Sequence, residues 1–192
     1  MAKDDNKPTI GKTALSWWSA LQPNSDKATA KKGDSGALAR LRRAEPIEAA
    51  TEEATGDLCR RLQPLVGLPD TAPLERAALI AAVLAHVREH DPTRKVAAAA
   101  GEMVGDERRV LQPLRLRRLL AARTPAECLT AFRRLVALLG HTANVADLAE
   151  CLFDWPDEMR GDTRRTRFAF TYYGAAAPQD PADPDKPDQA AA

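Results

Sequence analysis

The stretch from Thr124 to Gly140 specifies a helix from cap to stop. Thr124-Pro125-Ala126-Glu127 is a capping box with proline at the first helical position. Leu129, Phe132, Leu135, Val136 and Leu139 then recur on one face, and Gly140 supplies a C-terminal stop. Such a helix must bury its apolar face against something, because most helical stability comes from tertiary packing. The rest of the 192-residue chain offers it only further helices. Alanine and leucine dominate and β-branched residues are sparse, so the sequence predicts an all-α fold with no sheet.

The punctuation predicts where the helices lie. The first is expected near Thr13–Leu21, with Trp17, Trp18 and Leu21 on one side, followed by a loop from Gln22 to Asp34. A second begins near Ser35 and ends before Pro46. A third covers Ile47–Leu62, with Gly56 as a point of weakness. A fourth, capped by Asp70 or Thr71 with Pro73 in its first turn, runs to about His90. A short helix follows over Arg94–Ala100. In the second half, helices are expected over Gln112–Ala122, from Thr124 to Gly140, from Asn144 to Trp155, and over Asp157–Tyr173. Gly101 and Gly105 mark a junction. The expected organisation is two small helical lobes packed together, residues 13–104 and 105–174. They lie between a polar disordered N-terminus (1–12) and a disordered acidic tail (175–192) carrying Asp180, Asp183, Asp185 and Asp188.

The formal net charge is only +1, so the distribution of charge carries the argument. Between positions 108 and 134 stand eight arginines (108, 109, 115, 117, 118, 123, 133 and 134) and one acid, Glu127. At ~100° per residue, Arg115 and Arg118 fall opposite Leu116, Leu119 and Leu120, with Arg117 flanking. Arg134 falls opposite the apolar stripe of its helix, and Arg133 flanks it. Arg160, Arg164 and Arg167 form a narrow stripe on the last helix. Arg40, Arg42 and Arg43 sit on the second, with Lys31 and Lys32 upstream. Arginine's planar fork suits phosphate, and several such contacts give salt-dependent, sequence-independent affinity. The competing reading is a solvated surface of ion pairs, which is weakened over 108–134 by the scarcity of acids.

Chemistry is harder to find. Gly11-Lys12-Thr13 resembles the end of a P-loop, but Asn6 stands where the motif needs glycine. His86 and His90, at i and i+4, have no third metal ligand nearby, and His141 follows a helix-ending glycine as a C-terminal dipole partner. Asp154, Asp157, Glu158 and Asp162 could invite a cation, but more simply offset the nearby arginines. Cys59, Cys128 and Cys151 are odd in number and scattered, so no disulfide framework or zinc site is signalled. Cys128 and Cys151 read as small core residues. Trp17 and Trp18 read as core or interface rather than as a base-stacking platform. No catalytic constellation, metal site or cofactor is expected. The polar N-terminus and the lack of a membrane-length apolar run make the cytoplasm the expected location.

The order of these segments resembles the CasB family, the small subunit of the type I-E CRISPR Cascade complex. The resemblance rests on Trp17-Trp18-Ser19-Ala20-Leu21, on Gly36-Ala37-Leu38-Ala39-Arg40-Leu41-Arg42-Arg43-Ala44, and on Asp106-Glu107-Arg108-Arg109 leading to Arg117-Arg118-Leu119-Leu120-Ala121-Ala122. It continues through Val145-Ala146-Asp147-Leu148-Ala149, Trp155 and an arginine-bearing helix ending in Tyr172-Tyr173. Ser35 stands where many relatives have arginine, and Phe168 where relatives often have tryptophan. The resemblance implies a two-lobed helical subunit that catalyses nothing and associates head to tail with its own copies. It also implies contact with the large and backbone subunits, and stabilisation of the CRISPR RNA–target DNA hybrid and the displaced strand. The nominated contact residues are Arg42, Arg43, Arg108, Arg109, Arg115, Arg117, Arg118, Arg133, Arg134 and Arg164. Two other readings stay open: a helix-turn-helix regulator, and a protein–protein scaffold without nucleic-acid contact. No membrane and no small-molecule substrate are expected.

Overall fold

The computed structural model describes residues 7–23, 33–66, 72–105 and 108–174. Ten α-helices occupy these residues: α1 (Ile10–Leu21), α2 (Ser35–Arg43), α3 (Pro46–Ala50), α4 (Glu53–Leu62), α5 (Ala72–Leu84), α6 (Val96–Gly101), α7 (Pro113–Ala121), α8 (Pro125–Leu138), α9 (Val145–Asp154) and α10 (Gly161–Tyr172). The fold is all-α, as the periodicity predicts.

Helix α5 is the centre. Every residue from Ala77 to Ala85 is buried, so α5 has no solvent face over this stretch. Helices α2, α3, α4, α8 and α9 pack around it, and α9 also packs along α1. One cluster of buried side chains therefore runs through helices on both sides of Gly105. Trp17 and Trp18 are buried on α1, and both find acceptors for their indole N–H groups. Trp17 donates to the Ala54 carbonyl at 2.8 Å, and Trp18 to the Val87 carbonyl at 3.3 Å. At the other end, Trp155 stands edge-on to Phe132 and Phe168, with ring centroids 4.9 and 5.4 Å away, and joins α8, the end of α9 and α10.

The local signals act as expected where they are local. Thr124 and Glu127 close the capping box of α8, and Gly140 leaves it at φ 67°. Asn144 accepts from the Asp147 N–H at 3.1 Å and starts α9. Asp34 caps α2 by accepting from Ala37 at 2.8 Å. The residues nominated to cap the fourth helix, Asp70 and Thr71, lie outside the described residues.

Five details differ. Helix α1 begins at Ile10, three residues early, because Thr9 caps it by accepting from the Lys12 N–H at 3.2 Å. The expected third helix is two helices, divided at Thr51 and Glu52 rather than at Gly56. The Thr51 hydroxyl donates to the Glu48 carbonyl at 2.8 Å, the local competition that ends helices. Helix α5 stops at Leu84 instead of His90. The chain beyond it extends and pairs in parallel, Glu89 and His90 (β1) with Thr142 and Ala143 (β4). A second two-residue ladder, Met103–Val104 (β2) against Arg108–Arg109 (β3), is antiparallel. Finally, α10 starts at Gly161, because the Asp157 carboxylate accepts from the N–H groups of Met159 and Arg160 and holds residues 157–160 as a turn.

Gly101, expected only as a junction marker, is buried where α6 meets α10. A Cβ built there would lie 2.0 Å from the Tyr172 carbonyl oxygen. Gly101→Ala is expected to push α10 off α6 and destabilise the chain by about 1–3 kcal/mol, read as a lower urea midpoint. Gly56→Ala, where a Cβ would meet only Arg60 at 3.6 Å, is the tolerated control.

Candidate nucleic-acid interface

Helix α7 turns Leu116 and Leu119 inward, which leaves Arg115, Arg117 and Arg118 on its outer face. The facing side of α8 presents exposed Arg134. Between the two helices runs a groove of about 490 Å³. Its rim is Arg115, Arg118 and Arg134, and its lining is otherwise apolar: Leu111, Leu119, Ala131, Leu135, Ala137 and Leu138. A more open trough of about 480 Å³ continues past Arg118 and Arg134 to Ala126, Glu127 and Thr130. Among the described residues Glu127 forms no direct ion pair with these arginines. Its Oε2 accepts from the backbone N–H groups of Arg123 and Thr124, at 3.0 and 3.1 Å, and these donors hold its pKa below the ordinary value.

The ten nominated arginines fall into two groups. Arg43, Arg108, Arg115, Arg117, Arg118 and Arg134 are exposed, with no ion pair or side-chain hydrogen bond among the described residues. The other four are engaged within the fold. Arg42 donates through Nε to the Ala85 carbonyl at 2.6 Å, tying α2 to the end of α5. Arg133 donates to the carbonyls of Leu41 and Ala44, at 3.3 and 2.6 Å, and so closes the C-terminus of α2. Burial pushes its pKa down, opposed by Glu45. Arg109 donates to the Gly101 and Tyr172 carbonyls and lies over the rings of Tyr172 and Tyr173, at 5.1 and 5.6 Å. Arg164 pairs with Asp154 at 2.5 Å, with only 23% of its side chain exposed. Arg123, in the basic run but not nominated, donates to the Leu120 carbonyl at 2.5 Å near the end of α7.

The sequence profile of the CRISPR-associated protein Cse2 family matches residues 37–173, which span this groove and the helices that carry it. The chain belongs to the Cse2 family. Its fold is shared with CasB from Thermus thermophilus. That crystal structure superposes with a TM-score of 0.61 at 23% identity, covering 88% of this chain and 100% of that one. No curated protein matches the chain by sequence.

In this Cse2-family chain the acidic cluster serves the fold. Asp154 pairs with Arg160 and Arg164, Asp157 with Arg76 and Arg160, and Asp162 with Arg165 and Arg123. Among the described residues no group of three or more His, Cys, Asp or Glu side chains could hold a metal. His90 Nδ1 accepts from the Val145 N–H at 3.1 Å, and His141 donates through Nδ1 to the His86 carbonyl at 2.9 Å. Cys128 and Cys151 are buried, and burial pushes the Cys128 thiol up to about 11. Among the described residues no helix is long and apolar enough to cross a membrane. Sequence reasoning missed the groove's apolar lining. Leu119 and Leu135 read there only as core positions, and Leu111 and Leu138 fell at helix ends.

Two consequences can be measured. Arg108 and Arg109 are adjacent and both nominated, but the two residues do different things. Arg109→Ala is expected to cost about 1–3 kcal/mol of stability, since it strips two carbonyls of a donor, whereas Arg108→Ala stays within about 0.5 kcal/mol. Thermal unfolding of the two single variants tests this.

Asp157 sets the second. Burial would raise its pKa, but the N–H groups of Arg160 and Met159 and the Arg76 guanidinium outweigh burial and hold it at about 2. A depressed folded-state pKa stabilises above the unfolded value, ~3.9. That contribution drains away as pH falls from about 4 through about 2. Asp157→Asn should therefore flatten the acid limb of the stability–pH curve over that window.

Proposed function

We propose that this chain is the small, non-catalytic subunit of a type I-E Cascade complex. In this reading it grips nucleic acid without sequence preference through the exposed arginines of α7 and α8. The observation that carries the reading is the convergence of Arg115, Arg118 and Arg134 on one groove with no acidic partner among the described residues. Arg117 on the neighbouring face of α7, Arg108 on β3 and Arg43 on α2 extend the basic surface. Arg42, Arg109, Arg133 and Arg164 contribute by holding the helices that present it.

The ligand is the CRISPR RNA–target DNA hybrid and the displaced strand. The chain sits beside the large and backbone subunits and against a second copy of itself, head to tail. R-loop formation is close to energetically balanced, so a few backbone contacts suffice to bias it. A groove with a cationic rim and an apolar floor suits a single strand, whose phosphates meet guanidinium groups while a base or sugar covers the floor.

The test is fluorescence anisotropy with single-stranded DNA, duplex DNA and RNA across a salt series. Weak binding of single strands, indifferent to sequence and falling steeply with salt, is expected. Reversing Arg115, Arg118 and Arg134 to glutamate should remove most of it and lower the single-strand salt slope by about 2, at ~0.7 per lost contact. Arg60→Glu, near Asp57 on α4, is the control. A preferred duplex sequence would support the regulator reading instead. Salt-insensitive or absent binding, alone and within the assembled complex, would leave a protein scaffold.

A further inference from the structure

The arginine groove and the point where the described chain ends lie side by side. Helix α10 closes at Tyr172, whose hydroxyl donates to the Leu111 carbonyl at 2.5 Å. Leu111 is part of the groove's lining, with Arg115, Arg118 and Arg134. Gly174, the last described residue, is two positions beyond Tyr172. The sequence then continues over residues 175–192 with Asp180, Asp183, Asp185 and Asp188 against a single lysine, Lys186. Pro178, Pro181, Pro184 and Pro187 alternate with these acids. At ~3.3–3.6 Å per residue, the six residues to Asp180 can span about 20 Å and the fourteen to Asp188 nearly 50 Å. All four carboxylates can therefore reach the rim of a groove that begins at Leu111.

We propose that the acidic segment 175–192 occupies the α7–α8 groove of its own chain, so that nucleic acid enters only by displacing it. The proposal rests on the reading of the groove as a nucleic-acid interface. Charge complementarity chooses the occupant. The rim carries three arginines without acidic partners among the described residues, and the tethered segment carries net charge of the opposite sign. Tethering supplies an effective concentration on the order of millimolar, enough to fill a site whose individual exposed pairs are weak. The same weakness makes the segment displaceable. A nucleic-acid strand offers a continuous row of phosphates and gains from counterion release, while four spaced carboxylates gain far less. The segment would thus suppress capture of stray short polyanions and yield to a strand held in place by the rest of the complex.

The experiment uses the full chain and a full-length variant with Asp180, Asp183, Asp185 and Asp188 changed to asparagine. A fluorescent peptide of sequence 175–192 is titrated onto each in low salt. It should bind the neutral-tailed variant and bind the parent chain at least several-fold more weakly, because the parent's groove is already filled. Adding Arg115→Glu, Arg118→Glu and Arg134→Glu to the neutral-tailed variant should abolish peptide binding, with circular dichroism confirming the helices. In parallel, the neutral tail should tighten binding of a 20-residue oligothymidylate by roughly three- to tenfold at low salt. The gain should not depend on protein concentration and should vanish near 0.5 M salt. No peptide binding to the neutral-tailed variant, or peptide binding indifferent to the three arginine reversals, overturns the proposal even if oligothymidylate binds. A gain that grows with protein concentration also overturns it, by placing the segment on another copy. Peptide binding without oligothymidylate binding upholds the docking and sinks the nucleic-acid reading instead.

Discussion

Helix α5 is the constraint from which the rest of the arrangement follows. From Ala77 onward it is buried on all sides and contributes no polar face, so the helices around that stretch must turn an apolar stripe inward and their remaining residues to water. The surrounding helices α2, α8 and α9 do so, and α1 and α10 close the ends through Trp17, Trp18 and Trp155. Helix α7, which packs on α8 and α10, then presents three arginines on its outer surface. The basic face is thus a consequence of where the core lies, made specific by which side chains the sequence places on the outer positions.

Arginine has two separate uses in this molecule. At the ends of helices, where carbonyls lack intrahelical partners, guanidinium groups donate across to them. Arg42 reaches the end of α5, Arg133 the end of α2, Arg109 the ends of α6 and α10, and Arg123 the end of α7. Arg42, Arg133 and Arg109 act as caps supplied from a neighbouring element, Arg123 caps its own helix from three residues away, and Arg109 adds two aromatic faces to the contact. On the outer face of α7 and α8 the same side chain has nothing to cap. That distinction separates the fold's arginines from those available to a ligand.

The sequence made the helices legible because their signals are short-range. Thr124 speaks to Glu127, and Asn144 to Asp147, three residues away. The end of α5 was not legible for the opposite reason. It is set by pairing with Thr142 and Ala143 and by the His141 carbonyl, which accepts from Arg88 at 2.8 Å across more than fifty residues. The division of the arginines was hidden in the same way. Arg133 and its acceptor Leu41 are 92 positions apart, Arg109 and Tyr172 63, and Arg42 and Ala85 43. Helical geometry could place Arg133 on a flank and Arg134 outside. It could not say that the flank faces the end of α2. The resemblance to a family supplied the order of segments, but it nominated both kinds of arginine alike.

The exposed group has an energetic signature of its own. Arg115 and Arg118 stand at i and i+3 on α7, where like charges cost a few tenths of a kcal/mol, about 0.2–0.5 per pair. Glutamate on the same turn would reverse the sign, and elsewhere the chain does pair its charges at this spacing, as with Asp162 and Arg165 at 2.7 Å. The α7–α8 groove has no such relief among the described residues. Its one nearby acid, Glu127, is committed to backbone N–H groups. Lysine would carry the same repulsion but give only a point charge, whereas the guanidinium fork also bonds phosphate bidentately and stacks on bases. Three of the six nominated arginines left without a partner among the described residues converge on one apolar groove, a local conflict that a bound polyanion would resolve.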